Sequence, residues 1–174
     1  MARWLGYHGP MTDTPTLLII WHSRTGAARA MAEAACQAAA DECAVRLLSA
    51  DDAQAADLLE AEGYLFACPE NLASMTGAMK EFFDRCYYPL LGQIEGRPYA
   101  VMVAAGSDGA GAVRQIERIA TGWRLKRIAD SLIVCTQAQT AEAIAAPKHL
   151  DDPTLAPCHE LGAMFGAGLA MGIF

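Results

Sequence analysis

The stretch Leu17–Arg29, LLIIWHSRTGAAR, decides how the rest of the chain is read. Five apolar residues, Leu17–Trp21, run into the small polar loop His22-Ser23-Arg24-Thr25-Gly26, and an alanine-rich segment follows. A short continuous apolar run is the pattern of a strand buried on both faces. The segment from Ala27 to about Ala40 has the composition of a helix. A strand feeding a helix through such a turn gathers unpaired backbone N–H groups at the helix N-terminus. Free donors and the helix dipole both favour negative charge there. Two readings are open on the loop alone: an anion site, or an ordinary turn whose Ser23 and Thr25 only cap the helix.

The same alternation continues along the chain. Ala44–Leu48 reads as a second strand, followed by a short helix near Gln54–Glu60 with Asp51 or Asp52 as its cap. Gly63–Cys68 is a third strand. Met75, Ala78, Met79, Phe82, Phe83 and Cys86 then fall on one helical face, an apolar stripe that belongs to core packing. Tyr99–Ala105 is a fourth strand, and Val113, Ile116, Ile119 and Ala120 mark a helix closed by Gly122. Ser131–Cys135 is a fifth strand, and Asp152-Pro153 opens a last helix as cap and first-turn proline. Pro157 one turn on blurs that start. Five strand–helix alternations predict a three-layer α/β domain with a five-stranded parallel sheet, order 2-1-3-4-5, and helices on both faces. Residues 1–15 are expected to be a flexible leader and 16–174 a single domain, with no internal repeat.

Composition narrows the function. The 174 residues are 53% hydrophobic and 19% charged, which argues against disorder. A net charge of −7 excludes a general nucleic-acid binder, which needs a basic footprint. Cys36, Cys43, Cys68, Cys86, Cys135 and Cys158 form no CxxC pair, and the four histidines make no ligand pair at helical spacing. Buried reduced thiols and a cytoplasmic location are expected, with Cys68, at a strand end, the one thiol to watch. No metal site is expected. The N-terminus has no signal-peptide pattern, and the apolar Leu161–Phe174 is too short to span a bilayer. Its Gly162/Gly166 and Gly168/Gly172 spacings suit close packing of the last helix on the sheet, or a helix contact of the membrane type.

In a sheet of this kind ligands bind at the carboxyl ends of the strands. Three loops there are rich in small or hydroxyl-bearing residues: from His22, from Pro69 (PENLASMTGAMKEF) and from Gly106 (GSDGAG). On these loops the chain resembles the flavodoxin-like superfamily over residues 16–174, in particular its FMN-binding, NAD(P)H-dependent reductase and quinone-reductase branches. Ser23-Arg24-Thr25-Gly26-Ala27-Ala28 is similar to the loop that wraps the FMN phosphate; Ala28 stands where a third hydroxyl is common. Pro69, Glu70, Asn71, Leu72, Ala73, Ser74 and Met75, followed by Gly77-Ala78-Met79-Lys80, resemble the segment that holds the isoalloxazine. Gly106, Ser107, Asp108, Gly109 and Gly111, around Ala110, resemble the loop on the ring's other side. Glu70 departs from a flavin-stabilising environment: a carboxylate at the ring's edge disfavours the anionic reduced flavin unless it points to solvent, and the sequence leaves both placements open. Arg24 and Arg29 either add charge at the phosphate or are solvated.

The resemblance implies an oxidoreductase that passes a hydride from NAD(P)H through FMN to a quinone, flavin or other small acceptor, with no catalytic side chain. It also implies a homodimer or larger homo-oligomer, for which the glycine-rich last helix offers a close-packing surface. A flavodoxin-type electron carrier is the alternative, as is a flavin-free domain of regulatory or assembly role. Carriers cover the ring with aromatic side chains. The second and third loops have none, which favours the enzyme, unless Trp21, Tyr87, Tyr88 or Trp123 approaches in the fold. A dinucleotide fingerprint at VMVAAGSDGAGAV fails, since its third glycine would fall at Arg114. Arg114, Arg118, Arg124, Lys126 and Arg127 either receive the charged end of NAD(P)H or form a solvated face.

Overall fold

The structure is a computed structural model that describes residues 14–174. The expected leader lies outside the described residues except for Thr14 and Pro15. The chain runs β1 (Thr16–Trp21), α1 (Ala27–Ala39), β2 (Ala44–Ser49), α2 (Ala55–Glu60), β3 (Gly63–Asn71) and β4 (Ser74–Met75). It continues through α3 (Gly77–Leu90), β5 (Pro98–Ala105), α4 (Ala110–Gly122), β6 (Lys126–Arg127), β7 (Leu132–Cys135), α5 (Ala141–Ala145) and α6 (Asp152–Ala170).

The fold is α/β, with a largely parallel sheet between helices. The sheet has seven strands, not the five expected, in the order β2-β1-β3-β5-β6, with β4 on β3 and β7 on β5. Two causes account for the difference. β4 is a two-residue antiparallel return of β3, pairing Glu70 with Met75 and Asn71 with Ser74. The position beyond β5 is shared: β6 pairs with Pro98 and Tyr99, β7 with Met102–Ala105, and the chain leaves the edge between them. Two-residue strands carry no periodicity, so neither β4 nor β6 is visible in the sequence.

β1 alternates as a strand buried on both faces must. Leu18 and Ile20 face a core built with Leu58 of α2, Phe82 and Phe83 of α3, and Ile116 of α4. Leu17 and Ile19 face a second core with Met31 and Ala35 of α1 and Phe165 of α6. Each large apolar side chain removed from water contributes about 1.5–3 kcal/mol. The expected stripe on α3 holds at Met79, Phe82, Phe83 and Cys86, but Met75 sits in β4.

Helix ends differ from expectation in three places. Gln54, not Asp51 or Asp52, caps α2, because Asp57 accepts from the Gln54 N–H at 2.7 Å and completes a reciprocal box. Asp151, not Asp152, caps α6, accepting from the Thr154 N–H at 3.0 Å, and the helix runs on through Pro157. After α4 the left-handed residue is Arg124 at φ 56°, and Gly122 is still helical.

The small-residue spacing of α6 serves a helix, not the sheet. A Cβ on Gly162 would lie 2.1 Å from the Ala35 carbonyl oxygen, and one on Gly166 2.9 Å from that of Ala39. α6 therefore lies against the α1 backbone. Gly168 is covered by the Phe174 ring. The close approach these glycines allow is used inside the chain, which removes them as the reason to expect an oligomer. Among the described residues no helix is long and apolar enough to cross a membrane.

Candidate functional site

The carboxyl ends of β1, β3 and β5 open into a narrow cleft with about 90 Å³ of enclosed space, and ligands of α/β sheets bind at such strand ends. Ser23, Thr25, Ala27 and Ala28 form one wall, Pro69, Glu70 and Asn71 another, and Ala104, Ala105 and Gly106 the floor.

The first wall is the start of α1. Gly26 takes φ 103°, a left-handed turn that glycine tolerates best, and the cap supplies no side-chain hydrogen bond. The Gly26 N–H donates to Ser23 Oγ at 3.0 Å, so this serine oxygen and this glycine N–H satisfy each other. The next backbone bond of the helix is Ala30 N–H to the Gly26 carbonyl at 2.9 Å. Ala27 and Ala28, 4% and 1% exposed, have N–H groups with no hydrogen-bond partner among the described residues. The first N–H groups of a helix have no intrahelical partner, and because Ala27 and Ala28 line the cleft an anion there could meet them. Arg24 is exposed and does not line the cleft. Arg29 is engaged elsewhere, pairing with Glu33 at 2.8 Å and lying 5.3 Å from the Trp21 ring centroid.

The second loop is a hairpin. Leu72 and Ala73, at φ 54° and 58°, occupy a two-residue turn that glycine or asparagine usually fills. Such backbone costs about 1–3 kcal/mol per residue and persists only where the surroundings fix it. Here Gln115 Oε1 accepts from Ser74 Oγ at 2.9 Å and from the Met75 N–H at 3.0 Å. Gly111 permits the contact from below: a Cβ there would stand 2.2 Å from the Ala73 carbonyl oxygen. Pro69–Asn71 thus face the cleft, Leu72 is a fully exposed tip, and Ala73, Ser74 and Met75 face a groove on the other side.

Glu70 does not point to solvent. Its carboxylate crosses to the start of α4, accepting from the Gly109 N–H and the Ala112 N–H, each at 2.9 Å. A negative charge at a helix N-terminus is stabilised by the dipole and by charge-assisted hydrogen bonds. Asp108 Oδ1 accepts from Ala110 N–H at 3.3 Å. Of the third loop only Gly106 lines the cleft. Ser107 and Asp108 are exposed, Gly109 donates to Glu70, and Gly111 packs under the hairpin.

Cys68 is fully buried beneath this hairpin, and burial pushes its thiol up to about 12, so it is not a reactive group. Burial lowers the His22 pKa, with Asp51 opposing and Arg24 assisting, and its Nδ1 is buried without a partner among the described residues. Trp21, Tyr87, Tyr88 and Trp123 do not line the cleft.

A fourth segment was not visible in the sequence. Thr136, Ala138, Ile144 and Lys148, from the chain after β7, close the cleft. The Lys148 N–H donates to the Thr25 carbonyl at 2.6 Å, tying this segment to the first loop. Its ammonium donates to the carbonyls of Ala143 and Ala146 at 2.6 Å and of Ile144 at 3.1 Å, holding the end of α5. The segment lacks periodicity and length, so only the fold reveals it. Among the described residues no group of three or more His, Cys, Asp or Glu is placed to hold a metal ion.

Residues 38–139 match the family model described as NADPH-dependent FMN reductase. The chain belongs to this family. The match includes the second and third loops and stops short of Ser23–Ala28 and Lys148. Among curated proteins, a flavodoxin of Aquifex aeolicus (strain VF5) is 33% identical to this reductase-family chain over 97 residues. That alignment covers 55% of the chain and 52% of the relative, so it spans about half of that protein. Among solved structures, a flavodoxin from the domain Archaea superposes with TM-score 0.73 at 19% identity, covering 88% of this chain and 98% of that one. A WrbA-like flavodoxin from Agrobacterium tumefaciens gives TM-score 0.68 at 16% identity, with 91% and 97% covered. These two likenesses show the flavodoxin-like fold.

Proposed function

We propose that the cleft holds FMN and that the protein is an NAD(P)H-dependent FMN oxidoreductase serving a quinone, a flavin or another small acceptor. The observation that carries this reading is the pair of buried, unpartnered N–H groups on Ala27 and Ala28 at the wall of the cleft. They suit a phosphate, as does the dipole of α1. The Thr25 hydroxyl, and the Ser23 O–H left free while its oxygen accepts from Gly26, are the side-chain donors in this assignment. Backbone N–H groups replace the hydroxyl that Ala28 lacks. The backbone of Pro69–Asn71 and Gly106 is assigned to the flavin's remaining part, and the Thr136–Lys148 segment to exclusion of water. When bound, FMN supplies the two-electron chemistry, and the protein supplies position and electrostatics. No side chain acts as acid or base in this assignment.

The flavodoxin relative favours a second reading, an electron carrier for partner proteins. Among the described residues no aromatic side chain lines the cleft, which favours the enzyme, because it leaves a ring open to a stacking substrate. A homo-oligomer stays within the proposal on different grounds from the glycines: Tyr87, Tyr88 and Leu91 are exposed together at the end of α3.

The test is to purify the protein without added cofactor, record its visible spectrum and determine the mass of any released ligand. Released FMN with multiple turnovers of NADPH and a quinone is the expected result. Flavin without turnover selects the carrier. A colourless protein that takes up no added FMN overturns both.

A further inference from the structure

Among the described residues, two with charged side chains line the cleft, Glu70 and Lys148. The Glu70 carboxylate is engaged, accepting from the Gly109 and Ala112 N–H groups of α4. Lys148 has no such match. Its ammonium meets only the backbone carbonyls of Ala143, Ile144 and Ala146, and among the described residues no carboxylate stands within ion-pair distance of it. Carbonyl dipoles solvate an ammonium without cancelling its charge. The residue is half-buried, on a chain of net charge −7.

The other basic residues considered for an anion stand elsewhere. Arg24 is exposed and off the cleft, and Arg29 pairs with Glu33 at 2.8 Å. Arg114, Arg118, Arg124, Lys126 and Arg127 do not line the cleft either. Lys148, by contrast, touches the first loop at two points. Its N–H donates to the Thr25 carbonyl at 2.6 Å, and a Cβ on Gly26 would stand 3.3 Å from its carbonyl oxygen. Its main chain therefore lies against the two residues that lead into Ala27 and Ala28. The carbonyls that hold the ammonium belong to the residues just before it in the chain, which keeps the charge within the segment that bears on the first loop.

We propose that Lys148 is a specificity determinant for phosphorylated over unphosphorylated flavin, its ammonium supplying the positive charge that favours a phosphate at the first loop. The proposal rests on the FMN reading and adds to it an electrostatic element outside residues 38–139, the span of the family match. An anion approaching a chain of net charge −7 is repelled by the body of the protein, and a half-buried local cation, little screened by salt, offsets that repulsion at the cleft. Riboflavin carries the same ring without the phosphate, so it gains nothing from Lys148. The residue makes no contribution as an acid or base.

The test is calorimetric titration of the full chain with FMN, riboflavin and inorganic phosphate. K148Q and K148M both remove the charge, the second while keeping the apolar stem. Each should weaken FMN and inorganic phosphate by about ten-fold and leave riboflavin unchanged. K148R, which keeps the charge, should stay within about two-fold of the parent. K126A makes the same change of net charge away from the cleft and should alter none of the three affinities. Equal weakening of FMN and riboflavin overturns the proposal, since it leaves Lys148 a purely structural part. Unchanged affinities in K148Q and K148M overturn it too, as does a K126A effect of the same size. Failure of the FMN reading looks different. A parent that binds inorganic phosphate but no FMN sinks the cofactor assignment, and the phosphate affinities of K148Q and K148M then decide the role of Lys148. A parent that binds neither overturns both claims.

Discussion

Helices α1 and α4 begin alike and end up with opposite roles. Each follows a glycine in left-handed backbone, Gly26 at φ 103° and Gly109 at φ 89°, and neither cap residue supplies a side-chain hydrogen bond. Each is preceded by a strand of the sheet and a loop of small residues. At α4 a carboxylate from β3 occupies the donors of Gly109 and Ala112. At α1 no side chain among the described residues does this for Ala27 and Ala28, and both residues line the cleft. A helix N-terminus is thus a potential anion site by geometry, and what reaches it from elsewhere in the chain decides whether it is open or closed.

The largest expected effect comes from opening the closed end. Glu70→Ala leaves two N–H groups of α4 without their charged acceptor and should lower stability by about 3 kcal/mol, measured as a shift of the urea midpoint. The variant should also regain stability in sulfate or phosphate, which the unaltered α4 has no donors to hold. A Glu70→Ala protein as stable as the parent would break the contrast between the two helices.

The glycines give the next effect. Gly109→Ala forces a Cβ to 2.6 Å from Ile133 Cγ2 on top of its φ, whereas at Gly26 the nearest atom is the Lys148 carbonyl oxygen at 3.3 Å. Denaturant titration should find a loss of about 2–3 kcal/mol at Gly109 and about 1 kcal/mol at Gly26. Closing the open end is milder for the fold. Thr25→Asp should change stability by under about 0.5 kcal/mol and weaken FMN uptake about ten-fold, by repulsion of the phosphate; fluorescence titration reads the second number. The smallest effect is chemical. At pH 8 a thiol reagent should label exposed Cys135 and spare Cys68, whose burial holds its thiol near 12; mass spectrometry of peptides distinguishes them.

What the sequence discloses follows the strength of its periodicities. The apolar runs of β1, β3 and β5 and the stripe of α3 are visible because burial on two faces, or on one helical face, dictates every residue in them. The cleft's first wall is visible because strand, small loop and alanine-rich helix are contiguous. Glu70 is not visible as a helix cap, because its partners lie 39 and 42 residues away and nothing local records the pairing. The same holds for Lys148, whose bond to Thr25 depends on the path of an irregular segment. The caps of α2 and α6 are displaced from the expected residues because several polar residues compete there, and backbone geometry selects among them.

The seam between α1 and α6 has a bearing on how the molecule is made. Gly162 and Gly166 meet Ala35 and Ala39 across more than a hundred residues of intervening chain. Contacts of such sequence separation form late, after the entropy of closing a long loop has been overcome. During synthesis the side of α1 that meets Gly162 and Gly166 therefore waits, uncovered, for α6, while its other apolar residues can already pack on the sheet. The β1–α1 unit, which carries the opening of the cleft, is translated before the other described elements and is among the last to be covered.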